Sequence, residues 1–180
     1  MPKFEINKTR IKTIAELIEN GSDKQLLKIL KDVHYADIAE IIDELPVEGA
    51  TYLIKLLDSE KTADAIAEVD EDLREKILEK LSAKEIAKEI QELDTDDAAD
   101  LIAELPVERQ EKVMSQISDT EHVEDIRELL TYEENTAGGL MAKELVKVQD
   151  SLSVLKCLNA MRAQAEEVTR VHSILSLIHI

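Results

Sequence analysis

The strongest constraint in this sequence is a beat of twelve residues. Apolar side chains fall at Val33, Leu45, Leu57, Val69, Leu81, Leu93, Leu105, Ile117 and Leu129. Three positions before each of the last eight stands another: Ile42, Ile54, Ile66, Leu78, Ile90, Ile102, Met114 and Ile126. Turn or cap residues follow at Pro46, Asp58, Asp70, Ser82, Asp94, Pro106 and Ser118. Such a period leaves room for a helix of about eight or nine residues and a turn of about three, a rod of roughly 13 Å. A helix that short is unstable alone and must stack on its neighbours. The repeat therefore predicts a small α-solenoid of antiparallel helices.

A longer self-similarity runs through the same region. Asp37–Glu48 reads DIAEIIDELPVE and Asp97–Glu108 reads DAADLIAELPVE, sharing ELPVE outright at a separation of sixty, five beats of the short repeat. Pro46 and Pro106 are expected to stop one helix and open the next. Ahead of the array, a helix is predicted from Thr9 to Asn20, stopped by Gly21, with Ser22 and Gln25 resembling a capping box that opens the next.

Charge divides the chain. Of 40 acidic and 22 basic residues (net charge -18), residues 61–134 carry 24 acids against 9 bases, whereas residues 135–180 carry 4 acids and 5 bases. This excess of acid argues against nucleic acid or an anionic membrane surface as partner and favours a cation or a basic partner. The change of texture falls at Ala137-Gly138-Gly139, a boundary or hinge signal. Beyond it, Val146 and Val148 alternate like a short strand, Ser151–Ala163 reads as an amphipathic helix with Leu152, Leu155, Leu158 and Met161 inward, and Val168–Ile180 is β-prone. This reads as part of a larger α/β module. No uninterrupted apolar run approaches the roughly 18 residues that cross a bilayer, and Met1–Arg10 lacks the apolar stretch of a signal peptide, so the chain is expected to be soluble.

Catalysis has little support. His34, His122, His172 and His179 form no metal pair at helical spacing, and the lone Cys157 excludes an internal disulfide and a cysteine-based zinc cluster. Gly138-Gly139 lacks the Lys and Ser/Thr of a phosphate loop. The carboxylates are more informative. Between Glu89 and Glu111 stand nine acids and one base, Arg109. Asp94 suits an N-cap, and Asp96 and Asp97 suit the first turn of a helix. Asp100 lies beyond that turn. Asp96 and Asp100, four apart, project from one face and repel each other unless a cation joins them. Asp64 and Glu68 repeat the pair two to three helices earlier, and in a compact array the pairs can share a groove. Oxygen-only donors select a hard cation over zinc or copper. The absence of a calcium-hand pattern and the scatter of the acids suit hydrated Mg2+, which needs one or two carboxylates.

At this point the chain resembles a known family. Tyr132-Glu133-Glu134-Asn135-Thr136-Ala137-Gly138-Gly139-Leu140-Met141 is similar to the junction of MgtE-type magnesium transporters, and the acidic repeat before it is similar to their N domain. The resemblance covers roughly residues 10–165. It implies an all-α, right-handed superhelix of short stacked helices over residues 1–134, followed by a linker and a partial α/β CBS fragment over residues 135–180. It implies a cytosolic magnesium sensor in which Mg2+ bridges N-domain and CBS faces to favour a closed state. The partners implied are the CBS and transmembrane domains of the full-length homodimer at the cytoplasmic face of the cell membrane. No nucleic acid, and no direct membrane insertion of these residues, is expected. Family ligands carry over to Asp64, Asp96 and Asp100, in the segments KTADAIAEV and ELDTDDAAD, with Asp97 and Glu68 beside them. Two departures stand out: membrane helices are absent, and Ser173–Ile180 does not follow the family pattern. The repeats also look like those of the flagellar motor switch protein, so a protein-interaction scaffold is the competing reading.

Overall fold

The structure is a computed structural model and describes residues 6–133, 135–144, 148–149 and 151–164. Eleven α-helices occur among these residues: α1 (Lys8–Glu19), α2 (Asp23–Leu30), α3 (Tyr35–Asp43), α4 (Val47–Leu56), α5 (Ser59–Glu68), α6 (Glu71–Lys80), α7 (Ala83–Ile90), α8 (Thr95–Ala103), α9 (Val107–Met114), α10 (Thr120–Leu129) and α11 (Val154–Gln164). From α2 to α9 the first residues are 23, 35, 47, 59, 71, 83, 95 and 107, so one beat of the sequence is one helix. Alternate helices stack. α3, α5, α7 and α9 form one row, α4 packs on α6 and α8 on α10 in the other, and α1 closes the start against α2 and α4.

Every apolar residue of the repeat is buried, both the nine at the twelve-residue beat and the eight that precede them. Every pair but the last, which lies within α10, brackets a helix stop. The amides of Leu45, Val69, Leu81, Leu93, Leu105 and Ile117 donate to the carbonyls of Ile42, Ile66, Leu78, Ile90, Ile102 and Met114 at 3.0–3.3 Å. The last helical apolar residue and the first beyond it are thus pinned together in a tight turn, both facing the core. Burying an Ile or Leu side chain is worth about 1.5–3 kcal/mol, which is what holds rods this short.

Helix ends are also completed from three helices away. Lys61 of α5 donates to the carbonyls of Leu30 and Lys31 at the end of α2. Arg109 of α9 donates to Leu78 (3.1 Å) and Leu81 (2.7 Å) at the end of α6. His122 Nε2 of α10 pairs with the Ile90 carbonyl at the end of α7 at 3.2 Å. In the opposite sense, Asp43 at the end of α3 accepts the Asp70 amide at the start of α6, and Gln91 after α7 accepts the Ser118 amide just ahead of α10. Cationic donors at C-terminal carbonyls also complement the helix dipole.

Local signals were met unevenly. Gly21 ends α1 at φ 61°, a conformation glycine adopts without steric cost, and its neighbour Ser22 donates back to Leu17. Pro46 and Pro106 occupy N-cap positions, as expected. Ser22 is the N-cap of α2 but makes no side-chain cap bond, so the capping box expected with Gln25 is not formed. A capping box is formed at α7, between Ser82 and Glu85. In the junction, a Cβ on Gly138 would lie 2.5 Å from the Tyr132 ring, so the Gly there is required by close approach.

Beyond the junction the expectations are met in part. α11 occupies the predicted helix, but Leu155 and Leu158 are exposed and no residue of the helix is buried, because no described element covers that face. No strand occurs among the described residues; Val148 is exposed and outside any element, whereas Val146 and Val168–Ile180 lie outside the described residues. The α/β character of the C-terminal fragment is therefore not seen among them.

If the twelve-residue register carries the fold, Ile66→Ala should lower unfolding free energy by about 2–5 kcal/mol. Val107→Ala, at a side chain 75% exposed, should change it by less than about 0.5 kcal/mol. Urea denaturation followed by circular dichroism checks both.

Candidate metal centre

The acidic face is built by α5 and α8. On α8 the apolar stripe Ala98, Leu101, Ile102 and Ala99 turns inward, which leaves Asp97, Asp100 and Glu104 along the outer face. On α5 the inward stripe Thr62, Ala63, Ala65 and Ile66 leaves Asp64 and Glu68 outward, one turn apart. Asp97, Asp100, Leu101 and Glu104 line a cleft of about 100 Å3 with Ala67 of α5 and Arg74 of α6. Asp100, Arg74 and Glu104 also line a neighbouring cavity of about 430 Å3, bounded on its far side by Leu129, Tyr132 and Gly139.

The electrostatics of this face are unfavourable. Burial pushes the Asp97 carboxyl up to about 6, and the charges of Asp96, Asp94, Asp100 and Asp64 push the same way. Asp64 is raised as well, first by burial, then by Asp94 and Glu60, with Glu68 adding and His34 opposing. The one arginine lining the cleft is paired with Glu104, which lines it too. Arg74 Nε donates to Glu104 at 3.0 Å, a second bond joins its Nη2 to the same carboxylate, and its Nη1 donates to the Ala67 carbonyl at 2.7 Å.

Asp64, Asp96, Asp97 and Asp100 are thus brought into one electrostatic group, with Glu68 acting on it through Asp64. The charge of Asp64 bears on Asp97, the residue that stands between Asp96 and Asp100 on α8. Two contributors were not expected. Asp94 holds the N-cap position of α8 without a side-chain cap bond, and its charge bears on both Asp64 and Asp97. Glu144 caps instead: its carboxylate accepts the Thr95 amide and hydroxyl, each at 3.0 Å, across 49 residues. The beat places Asp94 at a helix start in the sequence; nothing local signals Glu144.

Among the described residues no three His, Cys, Asp or Glu side chains converge closely enough to enclose a bare metal ion. The candidate donors are carboxylate oxygens of α5 and α8. That arrangement fits a hydrated Mg2+ touching one or two carboxylates and does not fit a calcium cage.

Because Asp97 is protonated more readily in the folded chain than in the unfolded one, its stabilising contribution is present below pH about 4 and is lost as pH rises through about 6. Asp97→Asn should therefore raise the thermal midpoint relative to wild type at pH 7.5, and the difference should vanish near pH 4. Thermal melts across this range, in low salt without divalent cations, check the sign.

The family model described as the MgtE intracellular N domain matches residues 33–135. Two crystal structures share the fold. One is the soluble part of a magnesium transporter, at TM-score 0.74 and 22% identity, covering 91% of this chain and 64% of that one. The other is the cytosolic domain of the Mg2+ channel MgtE in complex with ATP, at TM-score 0.78 and 25% identity, covering 89% and 65%. The chain thus spans just under two thirds of the length of each. No curated protein matches it by sequence. No helix among the described residues is long and apolar enough to cross a membrane. With more than half of its residues matched by the N-domain model, and with the repeat and the fold in agreement, the chain belongs to the MgtE family.

Proposed function

We propose that this chain is the magnesium-sensing, regulatory part of a magnesium transporter or channel, on the cytoplasmic face of the membrane. The observation that carries the reading is the group of Asp64, Asp94, Asp97 and Asp100, charges held together across α5 and α8 within the matched N domain. Asp64, Asp97 and Asp100 would hold the ion, with Asp96 and Glu68 beside them. Hydrated Mg2+ supplies two positive charges and a shell of ordered water through which several carboxylates can be joined.

The remaining steps belong to the protein. When its carboxylates are bare, the α5–α8 face repels itself and any acidic surface brought against it, so the N domain stays apart from the CBS domains that follow in the full-length homodimer. When they are neutralised, that repulsion is removed and the two faces can close, which shifts the transporter toward its closed state. The role is regulatory and involves no reaction. Its partners are the CBS and transmembrane domains of the same protein. The scaffold reading has no observation of its own in favour: the matched family is a transporter domain.

At pH 7.5 and constant ionic strength, MgCl2 should raise the thermal midpoint of the 180-residue chain and give a saturable heat in titration calorimetry. Asp97→Asn/Asp100→Asn should lose the saturable heat and most of the midpoint shift. A double variant that responds to Mg2+ as wild type does would refute the assignment.

A further inference from the structure

Glu144 belongs to the junction, outside the acidic repeat, yet it is seated on the first turn of α8. Thr95 is 2% exposed, and its amide and hydroxyl are both engaged there. Its amide and its hydroxyl donate to the two oxygens of Glu144 at 3.0 Å, and its hydroxyl oxygen accepts the Lys143 amide at 3.0 Å. Lys143 anchors the other side, with its ammonium 2.8 Å from Glu128 and 4.0 Å from Asp125 on α10. The two residues thus staple the junction across α8 and α10.

The seat lies at the start of the acidic helix. Thr95 lies in the chain between Asp94 and Asp96, so Glu144 brings a further negative charge to a turn that already holds Asp94, Asp96 and Asp97. The α8 amides attract that charge, and the aspartates repel it. We infer that Lys143 and Glu144 form a latch whose closure is coupled to neutralisation of the aspartate group, with Glu144 as the positioning residue. This rests on the magnesium reading above and extends it to the junction. Cations on the aspartates remove the repulsion against Glu144 and close the latch. By reciprocity, a seated Glu144 adds negative charge beside the aspartates and raises their affinity for the cation. Occupancy of the acidic face is thereby converted into order at the segment that leads away from the N domain.

The test uses the whole 180-residue chain, wild type, Glu144→Gln and Lys143→Met, with MgCl2 titrated against NaCl at fixed ionic strength. Exchange of the Thr95 amide is read by NMR and Mg2+ affinity by calorimetry. In wild type, saturating Mg2+ should slow Thr95 exchange by about fivefold or more, and Glu144→Gln should weaken Mg2+ binding by a similar factor. Glu144→Gln should also abolish the Mg2+ dependence of Thr95 exchange, and Lys143→Met should reduce it. A cap with a purely structural role would speed exchange in Glu144→Gln without changing Mg2+ affinity, and that result overturns the latch. If Mg2+ binds wild type and Glu144→Gln equally while Asp97→Asn/Asp100→Asn loses binding, the latch falls and the sensing reading stands. If wild type binds no Mg2+, both fall.

Discussion

A helix of eight to ten residues is mostly ends. Four amides at the start and four carbonyls at the finish lack partners within the helix, so a rod of this length leaves nearly every residue involved in one unsatisfied group or the other. The structure depends on how those ends are completed. Lys61, Arg109 and His122 reach back to carbonyls three helices earlier, and Asp43 and Gln91 reach forward to amides three helices later. The apolar beat holds neighbours in contact, and these longer ties fix which helix ends meet. Together they bring α5, α6 and α8 around one cleft, which is where the acidic face lies.

That face conflicts with the stability of the array. An aspartate ahead of a helix ordinarily completes the first turn with its side chain. Asp94 makes no such bond, and the duty passes to Glu144. Its charge instead burdens Asp64 and Asp97. Arg74, which lines the cleft, is bound to Glu104 and to the carbonyl of Ala67 on α5. Negative charge is thereby concentrated on one face of α5 and α8, and such local disagreement with good folding practice is the pattern expected at a functional site.

What could be read in the sequence follows from the range of the forces involved. The beat of Ile, Leu and Val reports helix length and burial through local periodicity, so the solenoid, its helix starts and its core were legible. The acidic pairs on α5 and α8 were legible as faces for the same reason. Glu144 as the cap of α8 was not, because it comes from 49 residues away in the chain. The ties at separations near thirty residues join Lys, Gln and His side chains that look like ordinary surface in sequence. Ser22 and Gln25 had the spacing of a cap without its bonds, whereas Ser82 and Glu85 formed one. Leu155 and Leu158 had the pattern of a buried stripe, but burial requires a partner that no spacing can supply.

A stack of repeats needs something to finish it, since its last helix otherwise presents an unclosed flank. Here that finishing piece is the connecting segment itself: Tyr132 lies over Gly138, Lys143 grips α10 and Glu144 completes α8. Composition divides the chain near residue 134, but the bonds do not. Excision at the compositional break would remove the stopper along with the tether, leaving the Thr95 amide bare and Glu128 without its ammonium. In mechanical terms, any pull on the tether is a pull on the first turn of α8.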